Sequence, residues 1–187
     1  MQRKSFIRQA LLAVPATIIA PSVFAFNDSY TANTTEAFIV NKNASRFGDD
    51  IKFRGVSPNN LKISSKDTNG QLSVFEFIGL EKTGPSYHIH FDQDEIFTVV
   101  EGKYRFVVDG VTHELSEGQT IFLPRQKPHT WIQLTDKGRL IYMLQPAGKM
   151  EEFFIYMNQQ KQRPSQAEMD HIHKEHGMKV VGPPLTL

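Results

Sequence analysis

Residues 84–102 read GPSYHIHFDQDEIFTVVEG, a segment that sets two histidines, a carboxylate and a glycine at fixed spacing. His88 and His90 are two apart, so on an extended strand they point to the same face, within reach of one ion. Glu95 lies five residues beyond His90, an odd offset that would send it to the opposite face of an unbroken strand. A turn is therefore required, and Asp92-Gln93-Asp94 supplies residues suited to one. Past the turn, Glu95, Phe97 and Val99 alternate with Ile96, Thr98 and Val100. This reads as a second strand returning the carboxylate beside the histidines.

A later segment, GQTIFLPRQKPHTWIQ at residues 118–133, completes the set: a glycine, a strand over Gln119 to Leu123, a proline-punctuated loop, and His129 on a following strand. Three imidazoles and one carboxylate form a set of N and O donors without thiolate, suited to Fe, Mn, Ni, Co, Cu or Zn. A core gains nothing from burying three imidazoles and a carboxylate together, because each needs desolvation that only a metal or a hydrogen-bond network can offset. His113, lone and near a hairpin, is by contrast an exposed structural histidine.

The spacing His88-x-His90-(x)4-Glu95-(x)6-Gly102, followed by Gly118-(x)5-Pro124-(x)4-His129, resembles the two motifs of the cupins, in particular the single-domain quercetin 2,3-dioxygenase-like cupins. The closing GMKVVGPPL, residues 177–185, resembles the tail of the same branch. Three positions depart from the pattern. Gly84 stands two residues close to the first histidine, with Lys82 in the usual place, Gln126 replaces a glycine after Pro124, and Gln133 replaces a terminal asparagine. The departures touch turn geometry and surrounding polarity rather than the four donors.

The resemblance implies an all-β, double-stranded β-helix (jelly-roll) barrel holding one divalent transition metal through His88, His90, Glu95 and His129. It implies a dioxygenase whose substrate hydroxyl binds the metal as an anion while Glu95 doubles as general base. Candidates for an apolar substrate wall are Tyr87, Phe75, Phe77, Phe97, Trp131, Tyr142 and Phe154. Phe75 and Phe77 share a face that core packing alone would explain. Trp131, two residues past His129, falls on the same face of its strand. Two other readings stay open: a metal-dependent isomerase or decarboxylase acting on a sugar or small organic acid, and a non-catalytic metal- or metabolite-binding protein. A cavity rich in Arg and Lys would favour the isomerase or decarboxylase, with Arg105, Arg125 and Lys127 the nearby cations.

Residues 1–25 read as a cleaved export signal: Arg3, Lys4 and Arg8 form a basic head, Ala10 to Ala20 is apolar, and Val23-Phe24-Ala25 ends in the small residues a signal peptidase needs. Arg3-Lys4-Ser5-Phe6-Ile7 also resembles a twin-arginine signal with lysine in second place, so a periplasmic or secreted destination is expected by either a Sec-type or a twin-arginine-like route. Cleavage lowers the net charge from +1 to −2. No polybasic run survives, which argues against nucleic acid or an anionic membrane as partner and leaves a small-molecule substrate. The 162 residues that remain suffice for one cored domain, placed at 35–187 after a flexible arm at 26–34. The absence of cysteine fits export without disulfides.

Elsewhere, short strands are expected over Ala37–Val40, Ile51–Val56, Leu61–Ser64, Leu72–Leu80, Lys103–Val108, Val111–Leu115, Leu140–Leu144 and Phe153–Tyr156, with Pro58-Asn59-Asn60 as punctuation. Asp109-Gly110 is a hairpin signal, since both residues tolerate positive φ. About ten strands and one helix give a sandwich or jelly-roll barrel. The helix, residues 165–176, opens on the capping box Ser165-Gln166-Ala167-Glu168 and closes before Gly177, with Met169, Ile172 and His176 on its docking face. His171 and His173 lie about 200° apart around such a helix and cannot share an ion, so with His176 they read as surface or packing residues. Homodimerisation through strands or this helix is compatible with the barrel.

Overall fold

The computed structural model describes residues 36–162 and 164–187; the expected leader and arm lie outside them. The described residues form eleven strands and two helices: β1 (Lys52–Phe53), β2 (Ser57–Ile63), β3 (Ser73–Gly79), β4 (Ser86–His90), β5 (Asp94–Glu101), β6 (Lys103–Val108), β7 (Val111–Ser116), β8 (Thr120–Leu123), β9 (His129–Gln133), β10 (Gly138–Gln145), α1 (Met150–Gln159), α2 (Gln166–Glu175) and β11 (Met178–Pro184). They build two antiparallel sheets, ordered β1-β2-β3-β10-β5-β8 and β11-β4-β9-β6-β7. Two facing sheets with one side of each turned inward make the jelly-roll barrel. Phe75, Phe77, Phe97, Val99, Tyr104, Phe106, Leu140 and Leu144 fill the space between them.

Local chemistry sets most of the boundaries. Asp109 and Gly110 both take positive φ, 49° and 80°, so β6 and β7 close in the tight hairpin their twist favours. The apolar run before Leu80 becomes β3, an inner strand flanked by β2 and β10. Gly84 is required by close approach: a Cβ there would lie 1.7 Å from the Trp131 carbonyl oxygen. Gln126 takes φ +64°, the conformation that makes glycine the easy choice, and its N–H donates to the His90 carbonyl at 2.7 Å. Gln133 is fully buried; it accepts from Tyr104 and donates to the Gly79 and Thr135 carbonyls, so it braces the barrel away from the histidines.

Several expectations need correction. Residues 37–40 form no strand. Pro58-Asn59-Asn60 is not punctuation but the heart of β2, where both asparagines are buried because partners await them: Tyr142 donates to Asn59 Oδ1 at 2.9 Å, and Asn60 donates to Glu76 at 3.4 Å. Phe153–Tyr156 is not a strand but the middle of α1, so the described residues hold two helices rather than one. Aromatic and β-branched content favours a strand, yet Met150, Phe153, Phe154 and Met157 recur at helical spacing and Glu151 and Glu152 suit the positive end of a helix dipole. The tail at 178–184 is β11, hydrogen-bonded along β4 with Met178 opposite His90. Helix α2 carries both halves of its capping box and buries Ile172.

Candidate metal centre

The three histidines come from one sheet and the glutamate from the other. β4 and β9 are neighbours with His88 opposite His129, while Glu95 enters from β5 across the barrel. The strand alternation anticipated for His88 and His90, and the turn at 91–93, bring all four side chains together. Their donor atoms lie within 4.8 Å of one another, forming a His/Glu group that could hold a metal ion. His90, Glu95 and His129 are buried and His88 is half-buried.

Hydrogen bonds on the outward side of each ring fix what faces inward. His88 Nδ1 lies 2.8 Å from the Ser86 carbonyl and His129 Nδ1 2.9 Å from the Lys127 carbonyl, so both Nδ1 atoms carry the proton and donate. His90 Nδ1 lies 3.2 Å from Gln93 Oε1. The Gln93 amide can sit only one way round, because its Nε2 donates to the Pro146 and Ala147 carbonyls at 3.3 and 2.5 Å. All three Nε2 atoms therefore face the centre.

His88 Nε2 faces His90 Nε2 at 3.2 Å; His129 Nε2 faces Glu95 Oε2 at 2.9 Å; Glu95 Oε1 stands 3.7 Å from His90 Nε2. Lone pairs at these distances repel unless a cation or a proton lies among them. Burial disfavours the proton: it drives His88 down to about 3, aided by the neighbouring His129 and His90, and lowers His90 as well. Burial alone would raise the Glu95 carboxyl, but His90, His129 and His88 outweigh it and hold it at about 2. A buried, ionised carboxylate needs a counter-charge, and four N and O donors match a divalent transition metal.

The centre borders a cavity of about 680 Å³ whose lining includes His88, His90 and Glu95 but not His129. Of the wall candidates, Phe77, Phe97, Trp131, Tyr142 and Phe154 line this space. Tyr87 does not: alternation along β4 turns it away from His88, and its hydroxyl accepts from the Gly110 N–H at 3.2 Å. Phe75 does not either, since it is wholly buried behind the wall, stacked on Tyr142 at 5.2 Å and edge-on to Phe154. Phe97 stacks on Tyr142 at 5.0 Å, giving the lining a flat aromatic floor.

Sequence reasoning missed part of the lining. Met150, Phe153 and Met157 arrive on α1, Met169 and His173 on α2, and Met178 on β11. The helical spacing of α1 was the available signal. Gln93 was read only as a turn residue, and its offset of three from His90 was the hint of a role. Arg105, Arg125 and Lys127 lie outside the cavity, paired with Glu114, Asp94 and Asp109. Among the described residues a single metal-capable group occurs. His171 pairs with Glu175 at the surface.

The comparisons with known proteins bear on the same core. Residues 76–144 match the Cupin domain family. The matched segment carries all four donors and runs from β3 to β10. An uncharacterised protein of Aquifex aeolicus (strain VF5) is 27% identical over 79 residues, which cover 42% of this chain and 65% of that one, just under two thirds of the relative's length. Among solved structures, KdgF from Halomonas sp. is similar at 17% identity with a TM-score of 0.48, covering 60% of this chain and 94% of the other. An RmlC-like cupin from Shewanella frigidimarina is similar at 24% identity with a TM-score of 0.45, covering 52% and 82%.

Proposed function

We propose that the protein is a metal-dependent cupin oxidoreductase, a dioxygenase of quercetin 2,3-dioxygenase type that opens a flavonol-like or other enolisable phenolic substrate. The observation that carries this reading is a four-donor centre set in an aromatic cavity: Phe77, Phe97, Trp131, Tyr142 and Phe154 make a wall suited to a flat ring system. His88, His90, Glu95 and His129 would hold the ion, and Ser86, Gln93 and Lys127 would keep the imidazoles in the binding tautomer. When bound, an open-sited transition metal acidifies a coordinated hydroxyl and supplies the redox step. Glu95 Oε1, outside hydrogen-bond range of His90, is the atom placed to take the hydroxyl proton. The stacked Phe97 and Tyr142 rings would orient the substrate plane, and the surrounding methionines would exclude water.

Oxygen consumption on adding flavonol to protein loaded in turn with iron, manganese, nickel, cobalt, copper or zinc tests this. Stoichiometric uptake with at least one metal supports it, and no uptake with any metal rejects it. The competing isomerase or decarboxylase draws on Lys52, Arg54 and Lys161 in the lining, and turnover of a sugar or small organic acid under argon would select it. Saturable metal with no turnover of either substrate class would leave a binding protein. We further propose export with removal of residues 1–25, which N-terminal sequencing of the mature protein would show as a start at Phe26.

A further inference from the structure

The cavity holds one more imidazole than the metal centre uses. His173 sits in the last turn of α2 and lines the same cavity as His88, His90 and Glu95. Its Nδ1 donates to the Met169 carbonyl at 2.6 Å, which fixes the tautomer and leaves a lone pair on Nε2. Nε2 has no hydrogen-bond partner among the described residues and keeps some exposed surface, on a residue that lines the cavity. The ring is held against Phe153, centroids 5.4 Å apart. His176 repeats the local pattern, with Nδ1 on the Ile172 carbonyl and its ring 5.5 Å from Phe153, but it stays out of the cavity. Two histidines of like packing thus differ in one respect, access to the ligand space.

We propose that His173 Nε2 accepts the proton of a phenolic hydroxyl on the cavity ligand, making it a second acid–base group beside the metal centre. This deepens the reading of the cavity as a phenol site and rests on it. In the step, the ligand O–H bond breaks, its electron pair stays on oxygen, and the proton forms a bond to Nε2. The imidazolium that results lies at the C-terminal end of α2, where the helix dipole favours positive charge. The other charged or titratable groups around it are His90 on β4, Lys161 in the cavity lining, and Asp170, Lys174 and Glu175 on α2 itself. No carboxylate lies within ion-pair distance of the His173 ring among the described residues, so the ligand anion is its counter-charge.

The test measures binding and ionisation of 4-nitrophenol, against the proton-free ether 4-nitroanisole, on zinc-loaded full-length protein. Quenching of Trp131, the sole tryptophan, reports binding, and the phenolate absorbance reports ionisation. Wild type should bind the phenol about tenfold more tightly than the ether and hold it ionised. His173→Phe should erase that preference. His173→Gln, which keeps hydrogen-bonding capacity, should retain much of the affinity and lose the ionised fraction, while His176→Gln behaves as wild type. Melting curves check that each variant folds. Equal affinity for phenol and ether in wild type, absence of phenol binding, or a phenol preference that survives in both His173 variants would each overturn the proposal. Oxygen uptake from flavonol with His173-independent phenol binding sinks only this inference; His173-dependent ionisation without uptake by any metal sinks only the dioxygenase.

Discussion

Replacing Gln93 by Leu should weaken metal binding without touching a donor. The Gln93 side chain is 3% exposed and makes three contacts: it accepts from His90 Nδ1 and donates to the Pro146 and Ala147 carbonyls. Leucine fills similar space but leaves the imidazole N–H and the Ala147 carbonyl without partners, at about 1–3 kcal/mol for each buried group. Partial relaxation puts the loss of folding stability at about 2–4 kcal/mol. With its outward acceptor gone, His90 can adopt the other tautomer or rotate, and such losses cost about 10–100-fold in metal affinity, or about 1.4–2.7 kcal/mol. Gly148→Ala should act in the same direction, because its Cβ would stand 2.4 Å from Gln93 Nε2 at a φ of +55°. Zinc affinity by competition with a chromophoric chelator, read beside apo-protein melting, separates the two effects. Wild-type zinc affinity in a Gln93→Leu protein that melts lower would refute the orienting role and leave Gln93 a structural brace alone.

Three further outcomes are expected. Glu95→Gln should retain part of the metal while turnover falls about 100-fold or more, checked by elemental analysis and oxygen uptake on one preparation; unchanged turnover would remove Glu95 from the chemistry. Glu76, 4% exposed, is pushed up by burial but held below the usual range by Lys62, Arg139 and Asn60. Its contribution is therefore present above the unfolded carboxyl value and lost as pH falls through the folded one. Glu76→Gln, which leaves Lys62 and Arg139 facing each other, should cost about 2–4 kcal/mol at pH 7 and flatten the acid limb of a urea-melt pH series. Tyr142→Phe leaves the whole Asn59 amide buried and unpaired, because Asn59 Nδ2 already has no partner. The single change should cost about 1–3 kcal/mol, whereas Tyr142→Phe with Asn59→Leu should recover most of it, and additivity in that cycle would refute the coupling.

The donor set and the barrel were legible because strand alternation and turn chemistry are local. His88-x-His90, the Asp92-Gln93-Asp94 turn and Asp109-Gly110 each carry their geometry in a few residues. What stayed hidden depends on contacts made at long range. Asn59 and Asn60 look like a loop until Tyr142 and Glu76 arrive from distant strands to satisfy them. Phe153 to Tyr156 has strand-like composition, and the helical spacing of Met150, Phe153, Phe154 and Met157 becomes decisive only with the cavity they line. Alternation was also sufficient to exclude Tyr87 from the face of His88, a consequence the wall assignment overlooked. The roles of Ser86 and Lys127 are backbone roles, for which side-chain identity gives no signal.

Metal stoichiometry in purified wild type, His88→Ala and His129→Ala, each loaded with zinc, desalted and assayed by elemental analysis, addresses the centre most directly. Three imidazoles and a buried carboxylate whose donor atoms lie within 4.8 Å of one another suit one cation, so wild type should retain one zinc per chain and both variants should lose it while still folded. Full zinc in either histidine variant, or none in wild type, would contradict the assignment.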